Sequence, residues 1–271
     1  MKPFLRLLRP LNCLMASVAV LIGAYLGGIS ASFASVLFAM LAAFMVSGGG
    51  MVINDYYDRE LDFIYDHDRP IPSGKVSLRT ALIFSFVLFI FGIYLSFWVN
   101  KYTLAVASLN SILLVAYAKD LQKRFLVSNL TISFLVGSTF VFGGLAVKNF
   151  FPSLFLALMA FFANTAREII KDLEDKEADT VKEIRSVPIV LGKDKARLMS
   201  SIFVLVGVCL SPLPIAFGVF GLWYGLAVVF SIGVFLRSVY MIHKGAEPSQ
   251  IQGMLKLGMI LGLVAFLVGA L

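Results

Sequence analysis

The chain alternates between long uninterrupted apolar runs and short polar stretches. Nine runs have the roughly 17–25 residues a helix needs to cross a hydrocarbon core of about 30 Å. They are Leu11–Ile29, Phe33–Ile53, Ala81–Val99, Tyr102–Ala118, Phe125–Val147, Phe150–Ala166, Leu198–Phe220, Gly221–Ile242 and Ile251–Leu271. Seven contain no charged residue; the eighth carries only Arg237 near its end and the ninth only Lys256 near its start. Apolar residues are contiguous rather than alternating, which predicts helices and not the strands of a membrane barrel. The Ser211-Pro212-Leu213-Pro214 step inside the seventh run predicts a kink. The polar stretches between runs leave no room for a soluble domain. The expected fold is an all-α membrane protein with nine transmembrane helices, a single polytopic domain over residues 1–271.

Composition agrees. Of 271 residues, 59% are apolar and 14% charged, against the ~25% charged of a soluble domain. So few charges cannot cover a soluble body, and so much apolar surface excludes disorder. The net charge of +7 has a topological explanation. With the N-terminal side taken as cytoplasmic, twenty of the 23 Lys and Arg fall in inside segments, and only Lys101 and Lys148 fall outside. Lys256, near the inner end of its run, can snorkel to the interface. The bias follows the positive-inside rule and places the N-terminus in the cytoplasm and the C-terminus outside. Basic residues followed by an apolar run also match a signal peptide, but a first run followed by eight more reads as a retained span. Cys13 and Cys209 lie in separate apolar runs, at no metal or redox spacing, and read as packing residues.

All sixteen Asp and Glu lie on the same inside face, most of them in two clusters, Asn54–Gly74 and Arg167–Gly192. The clusters share a spacing. Asp55, Asp58 and Asp62 follow D-x-x-D-x-x-x-D, and Asp172, Asp175 and Asp179 repeat it 117 residues later. Each is trailed by R-x-x-P, at Arg69–Pro72 and Arg185–Pro188, and each follows an even-numbered run, the second and the sixth. This reads as an internal repeat: two four-helix halves with acidic motifs at 54–62 and 172–179. On a helix, residues three, four and seven apart share a face. Each motif therefore predicts an acidic stripe, with Asn54 joining Asp58 at i, i+4 and Glu168 one turn before Asp172. Two facing stripes suit a hard cation. Mg²⁺ takes a few carboxylates and completes its shell with water and phosphate oxygens, so Mg²⁺ with a diphosphate is the natural counterpart. A single acidic run is usually a solvated face; the doubling on one membrane side outweighs that reading.

Basic residues supply the other half. Lys119, Lys123 and Arg124 follow the fourth run, Lys171 and Arg185 flank the second motif, and Arg69 follows the first. They suit phosphate oxygens and a departing diphosphate, although inside loops carry Lys and Arg for topology alone. Asp120 suits pairing with a neighbouring lysine. Gly48, Gly49 and Gly50 either allow close helix approach or loosen a helix end, and packing is the favoured reading. Asn110, Asn129 and Asn164 are intramembrane amides, suited equally to interhelical bonds and to substrate. His67 and His243 have no partner pattern and are given no catalytic role. A transporter would place charge near the midplane and carry inverted repeats; here the charges sit at one face and the repeats run the same way. The D-G-x-x-A-R element of CDP-alcohol phosphotransferases is absent, since Arg59 follows Asp58 and Lys176 follows Asp175.

The stretch NDYYDRELD resembles the N-D-x-x-D-x-x-x-D signature of the UbiA-type intramembrane prenyltransferases. Asp175 and Asp179 resemble their second motif, D-x-x-x-D. Arg9-Pro10-Leu11-Asn12 resembles their R-P-x-N, and Tyr117 with Lys123 and Arg124 their tyrosine-plus-lysine segment. Ala178 stands where many members have glycine. The likeness spans the whole chain. It implies a helical barrel around a cavity open laterally to lipid, with cytoplasmic cap segments carrying the acidic motifs. It implies Mg²⁺-dependent transfer of an isoprenyl chain from its diphosphate to an acceptor. Carried over by motif, Asn54, Asp58, Asp62, Asp175 and Asp179 are metal-site residues, with Asp55 and Asp172 assisting; Asp58, Asp62, Asp175 and Asp179 serve catalysis. Arg69, Lys119, Lys123, Arg124, Lys171 and Arg185 are candidates for phosphate, and Arg9, Asn12 and Tyr117 for the acceptor pocket. Within the family, DRELDFIYDHDRPIPSG looks most like the archaeal ether-lipid branch, which implies geranylgeranyl diphosphate and a lipid phosphate acceptor as partners. The chlorophyll-synthase branch shares R-P-I-P-S-G and remains an alternative.

Overall fold

The computed structural model describes residues 2–28, 33–181 and 183–271, apart from the Tyr65 side chain. Ile29, where the first apolar run ends, lies outside the described residues. Every regular element among them is helical: α1 (Lys2–Leu8), α2 (Pro10–Leu26), α3 (Phe33–Tyr57), α4 (Arg59–Tyr65), α5 (Leu78–Val99), α6 (Lys101–Lys119), α7 (Val127–Ala146), α8 (Phe151–Glu174), α9 (Lys176–Val181), α10 (Val187–Leu191), α11 (Lys193–Leu210), α12 (Leu213–Ala216), α13 (Leu222–His243) and α14 (Pro248–Gly269). Eight helices among the described residues are long and apolar enough to cross a membrane, or nine when α1 and α2, bent by 47° at Arg9, count as one span. They fall on the nine apolar runs. The helices form two compact units, one of Met1–Gln122 with Ser138–Phe150, the other of Lys123–Gly137 with Phe151–Leu271.

In the first unit α3 packs against α1, α2, α5 and α6. Small side chains make this possible: Ala39, Ala42 and Ala107 are buried with Val20, Val46 and Phe89. In lipid no hydrophobic force draws helices together, so close approach and interhelical hydrogen bonds take its place. Ser17 donates to Met40 O at 2.9 Å, and Ser85 donates to Gly49 O at 2.9 Å. A Cβ on Gly49 would lie 2.8 Å from Phe89 Cδ1, so the glycine run serves packing, as expected. Asn100 joins α5 to α6. Its Oδ1 accepts from the Tyr102 and Thr103 amides at 2.9 and 3.0 Å, and its own amide donates to Thr103 Oγ1 at 3.1 Å. That capping box satisfies orphan donors at the start of α6. The α1–α2 joint has a backbone cause. Arg9 precedes Pro10, whose ring disfavours right-handed helix at the preceding residue, and Arg9 adopts φ 48°.

In the second unit α8 packs against α11, α14 and α10. It continues past Ala166, the end of the apolar run, because Ala166, Ile169, Ile170 and Leu173 keep one apolar face at helical spacing. That face packs with Val204, Ile242, Ile251 and Leu255, and with Val187 and Ala196. Ser200 donates to Ala166 O at 3.0 Å and Ser231 to Gly258 O at 2.8 Å. At the position of the expected kink the helix is interrupted: α11 stops before Ser211-Pro212, α12 follows, and the Tyr224 hydroxyl donates to Ser211 O at 2.8 Å. Large apolar side chains remain exposed, Phe230 at 70% for example. In water such a surface would aggregate; in a bilayer it is solvated.

Candidate functional site

The first acidic motif lies at the joint of two helices. α3 carries Asn54 and Asp55 to its end at Tyr57, Asp58 interrupts it for one residue, and α4 resumes at Arg59. The break leaves the helical register intact. Asp58 N donates to Asn54 O at 2.9 Å, Asp62 N to Asp58 O at 2.9 Å, and Asp66 N to Asp62 O at 2.8 Å. Asp55 and Asp62 are both buried and share Arg69, whose Nη1 lies 3.2 Å from Asp55 Oδ1 and 2.7 Å from Asp62 Oδ2. Arg69 Nε also meets Asp66 Oδ2 at 3.1 Å. Burial lowers the Arg69 pKa, but the Asp62 and Asp55 carboxylates outweigh it and hold the guanidinium above its ordinary value. Arg9 Nη2 reaches Asp55 Oδ1 at 2.6 Å. Asp58 is treated differently. Asn54 Nδ2 donates to its Oδ2 at 2.7 Å and Gln122 Nε2 to its Oδ1 at 3.2 Å. Both oxygens are thus oriented by neutral amides.

The second motif repeats the backbone. α8 ends at Glu174, Asp175 interrupts, and α9 resumes at Lys176. Asp175 N donates to Lys171 O at 2.9 Å and Asp179 N to Asp175 O at 2.8 Å. Asp172 Oδ2 accepts from Asn129 Nδ2 at 2.9 Å. Lys171 Nζ lies 3.7 Å from Asp175 Oδ2, and Asp179 is buried. A polar chain leads away from the motif: Asn164 Nδ2 donates to Ser133 Oγ at 3.1 Å, Arg167 Nη2 donates to Asn164 Oδ1 at 3.2 Å, and Arg167 also pairs with Glu168. The two trailing arginines are not equivalent. The Arg69 side chain ties three carboxylates, whereas Arg185 is exposed and its backbone N–H donates to Lys123 O at 3.0 Å.

Among the other expected residues, Lys119 ends α6, Lys123 ends a 3₁₀ turn over Leu121–Lys123 and Arg124 follows it; all three are exposed. Tyr117 is half-buried in the last turn of α6, and Asn12 Nδ2 sits 3.9 Å from Met51 Sδ. Asn110 donates to Ser138 Oγ at 2.8 Å, an interhelical bond. Of the two histidines, His67 packs edge-on against Phe63. Gln122, which meets the motif residue Asp58, was not singled out in reading the sequence; nothing in its local pattern marks it. Asn129 was legible as an intramembrane amide but not as the partner of Asp172.

Among the described residues, no three His, Cys, Asp or Glu side chains converge into a complete metal cage. Mg²⁺ does not need one: it binds through one or two carboxylates and fills its shell with water and phosphate oxygens. The donor chemistry fits. Asp58 and Asp172 form no ion pair among the described residues, and the side-chain hydrogen bonds that orient them come from amides.

Apolar spans and paired carboxylate motifs at helix ends define a multi-pass membrane enzyme of the prenyltransferase class. The chain belongs to the UbiA prenyltransferase family, whose pattern matches residues 15–268. It is 39% identical, over all of both chains, to the digeranylgeranylglyceryl phosphate synthase of Methanopyrus kandleri. A solved structure described as that of a digeranylgeranylglyceryl phosphate synthase in membranes is 36% identical with a TM-score of 0.92, covering 99% of this chain and 98% of the other. A UbiA homologue from Archaeoglobus fulgidus, solved with DMAPP and Mg²⁺, shares the fold at 17% identity and a TM-score of 0.77, covering 98% of this chain and 99% of its own.

Proposed function

We propose that this prenyltransferase moves a geranylgeranyl group from geranylgeranyl diphosphate to the free hydroxyl of geranylgeranylglyceryl phosphate, giving digeranylgeranylglyceryl phosphate. The observation that carries this reading is the 39% identity along the whole of both chains to an enzyme named for that product. The chain's own chemistry supports it. Both substrates are amphiphiles with a phosphate head and a long tail, and the protein combines charged helix ends with long apolar spans.

The motif carboxylates Asp58, Asp62, Asp172, Asp175 and Asp179, with Asn54, hold Mg²⁺ in this reading. When bound, Mg²⁺ supplies Lewis-acid stabilisation of the charge that builds on the diphosphate. Asn54 and Gln122 turn the Asp58 oxygens, and Asn129 turns Asp172, so these ligands are oriented before substrate arrives. Lys119, Lys123, Arg124, Lys171 and Arg185 bind diphosphate oxygens and stabilise the leaving group. Arg9, Asn12 and Tyr117 serve the acceptor. The allylic C–O bond breaks toward the diphosphate, the acceptor hydroxyl forms the new ether bond, and its proton passes to a motif carboxylate or to the released diphosphate. Apolar and aromatic side chains of the spans keep water from the allylic cation. The N-terminus and the motif-bearing helix ends face the cytoplasm, as the basic-residue bias demands.

The test is a transfer assay on purified protein with Mg²⁺. Labelled geranylgeranyl diphosphate is offered with geranylgeranylglyceryl phosphate, and separately with an aromatic acid and with a chlorophyllide. Label entering the glycerol lipid alone is the expected result, lost with a chelator and restored by Mg²⁺. Label entering only another acceptor overturns the proposed substrate while keeping the chemistry.

A further inference from the structure

Asp55 stands apart from the other motif aspartates. Its Oδ1 meets two guanidiniums at once, Arg9 at 2.6 Å and Arg69 at 3.2 Å, and the residue is buried. A carboxylate already met by two fixed cations is a poor partner for a third, whereas Asp58 is met only by amides. Both arginines are also held from elsewhere. Arg9 is locked at the α1–α2 joint in a left-handed backbone conformation, and α1 is pinned by buried Leu7 and by Arg6 Nη1 donating to Asp68 O at 3.0 Å. Arg69 is gripped by Asp62 and Asp66. Yet the two side chains keep 36% and 30% exposure. Arg9 Nε and Nη1 and Arg69 Nη2 carry no hydrogen bond among the described residues. A guanidinium N–H of this kind makes a strong charge-assisted hydrogen bond to a phosphate oxygen.

We infer that Asp55 is a positioning residue rather than a magnesium ligand: it holds the Arg9 and Arg69 guanidiniums so that their remaining N–H groups bind one phosphate group of a substrate. The inference rests on the prenyl-transfer reading above for the identity of that substrate. The donor's diphosphate and the acceptor's phosphate present the same oxyanion chemistry, and the experiment separates them. The division of labour is physical. Asp55 spends its charge on the clamp, and Asp58, one turn further along, keeps its charge for a cation.

The test compares wild type, Asp55→Asn and Arg9→Lys as full-length protein. Asp55→Asn keeps the shape and removes the charge; Arg9→Lys keeps the charge and removes the guanidinium. Binding is read directly with labelled geranylgeranyl diphosphate and with geranylgeranylglyceryl phosphate, and metal binding by titration with Mn²⁺ alone. The expected result is a dissociation constant raised about tenfold or more for one phosphate substrate in both variants, with Mn²⁺ affinity unchanged. A rise confined to geranylgeranyl diphosphate assigns the clamp to the donor, and a rise confined to the glycerol lipid assigns it to the acceptor. Weakened Mn²⁺ binding in Asp55→Asn overturns the inference, as does unchanged affinity for both phosphates. Where Asp55→Asn does not fold, Arg9→Lys decides alone, and unchanged phosphate affinity in it overturns the proposal. Wild-type protein that binds both substrates but transfers nothing contradicts the proposed function and leaves the clamp measurable.

Discussion

The two acidic motifs carry the same spacing and the same backbone but opposite electrostatics at their first aspartate. In each, a long helix runs out of an apolar span, breaks for one residue at the second aspartate, Asp58 or Asp175, and resumes as a short helix. Asp55 is met by Arg9 and Arg69, whereas Asp172 is met by the amide of Asn129. The two motifs therefore share a shape and not a charge balance. A half-buried carboxylate such as Asp172, hydrogen-bonded by a neutral amide, leaves a greater demand for a cation than one held by two guanidiniums. Under the proposed function, the first motif would divide its work between a guanidinium clamp and a metal ligand, and the second would depend more heavily on bound cation.

The comparison can be broken most severely at the helix breaks. Asp58→Ala and Asp175→Ala should each lower prenyl transfer by about a thousandfold or more, with normal yield of folded protein from membranes. A rate close to wild type in either variant would remove that motif from the metal site. A finer probe takes the amides. Asn129→Ala should raise the Mg²⁺ concentration for half-maximal rate by about tenfold. Gln122→Ala should raise it less, because Asn54 still holds Asp58 at 2.7 Å. Equal effects would mean the two motifs are loaded alike. The smallest effect is a control away from both motifs. Asn100→Ala removes the cap of α6 and should cost about 1 kcal/mol of stability, seen as a lower thermal midpoint with kcat unchanged; a loss of kcat would tie this joint to the chemistry.

How much was legible varies with the range of the interaction. Span positions were readable because the bilayer demands contiguous apolar residues, so the signal is local and strong. The stripe from Asp55 to Asp62 was readable because helical spacing sets which side chains share a face, and Asn54 bonding Asp58 is a contact one turn apart. The breaks at Asp58 and Asp175 were not readable; the spacing alone implied continuous helix. The continuation of α8 past Ala166, where the apolar run stops, was implied by the stripe, and Ile169, Ile170 and Leu173 give it a core to fill. Arg69 and Arg185 looked equivalent from R-x-x-P and proved different, since a shared motif fixes neighbours along the chain and not across it.

The sequence by itself determined that this protein lives in a membrane, where its spans lie, that its acid gathers in two motifs of equal spacing and to which family it is similar. Each follows from composition, or from patterns no longer than a helix or a motif. Only the tertiary structure decided what each aspartate meets. Arg9 comes to Asp55 from 46 residues away and Asn129 to Asp172 from 43, and Gln122 reaches Asp58 across 64. Such partners are chosen by how helices pack, and helix packing in lipid is set by small residues and shape across the whole unit rather than by any local signal.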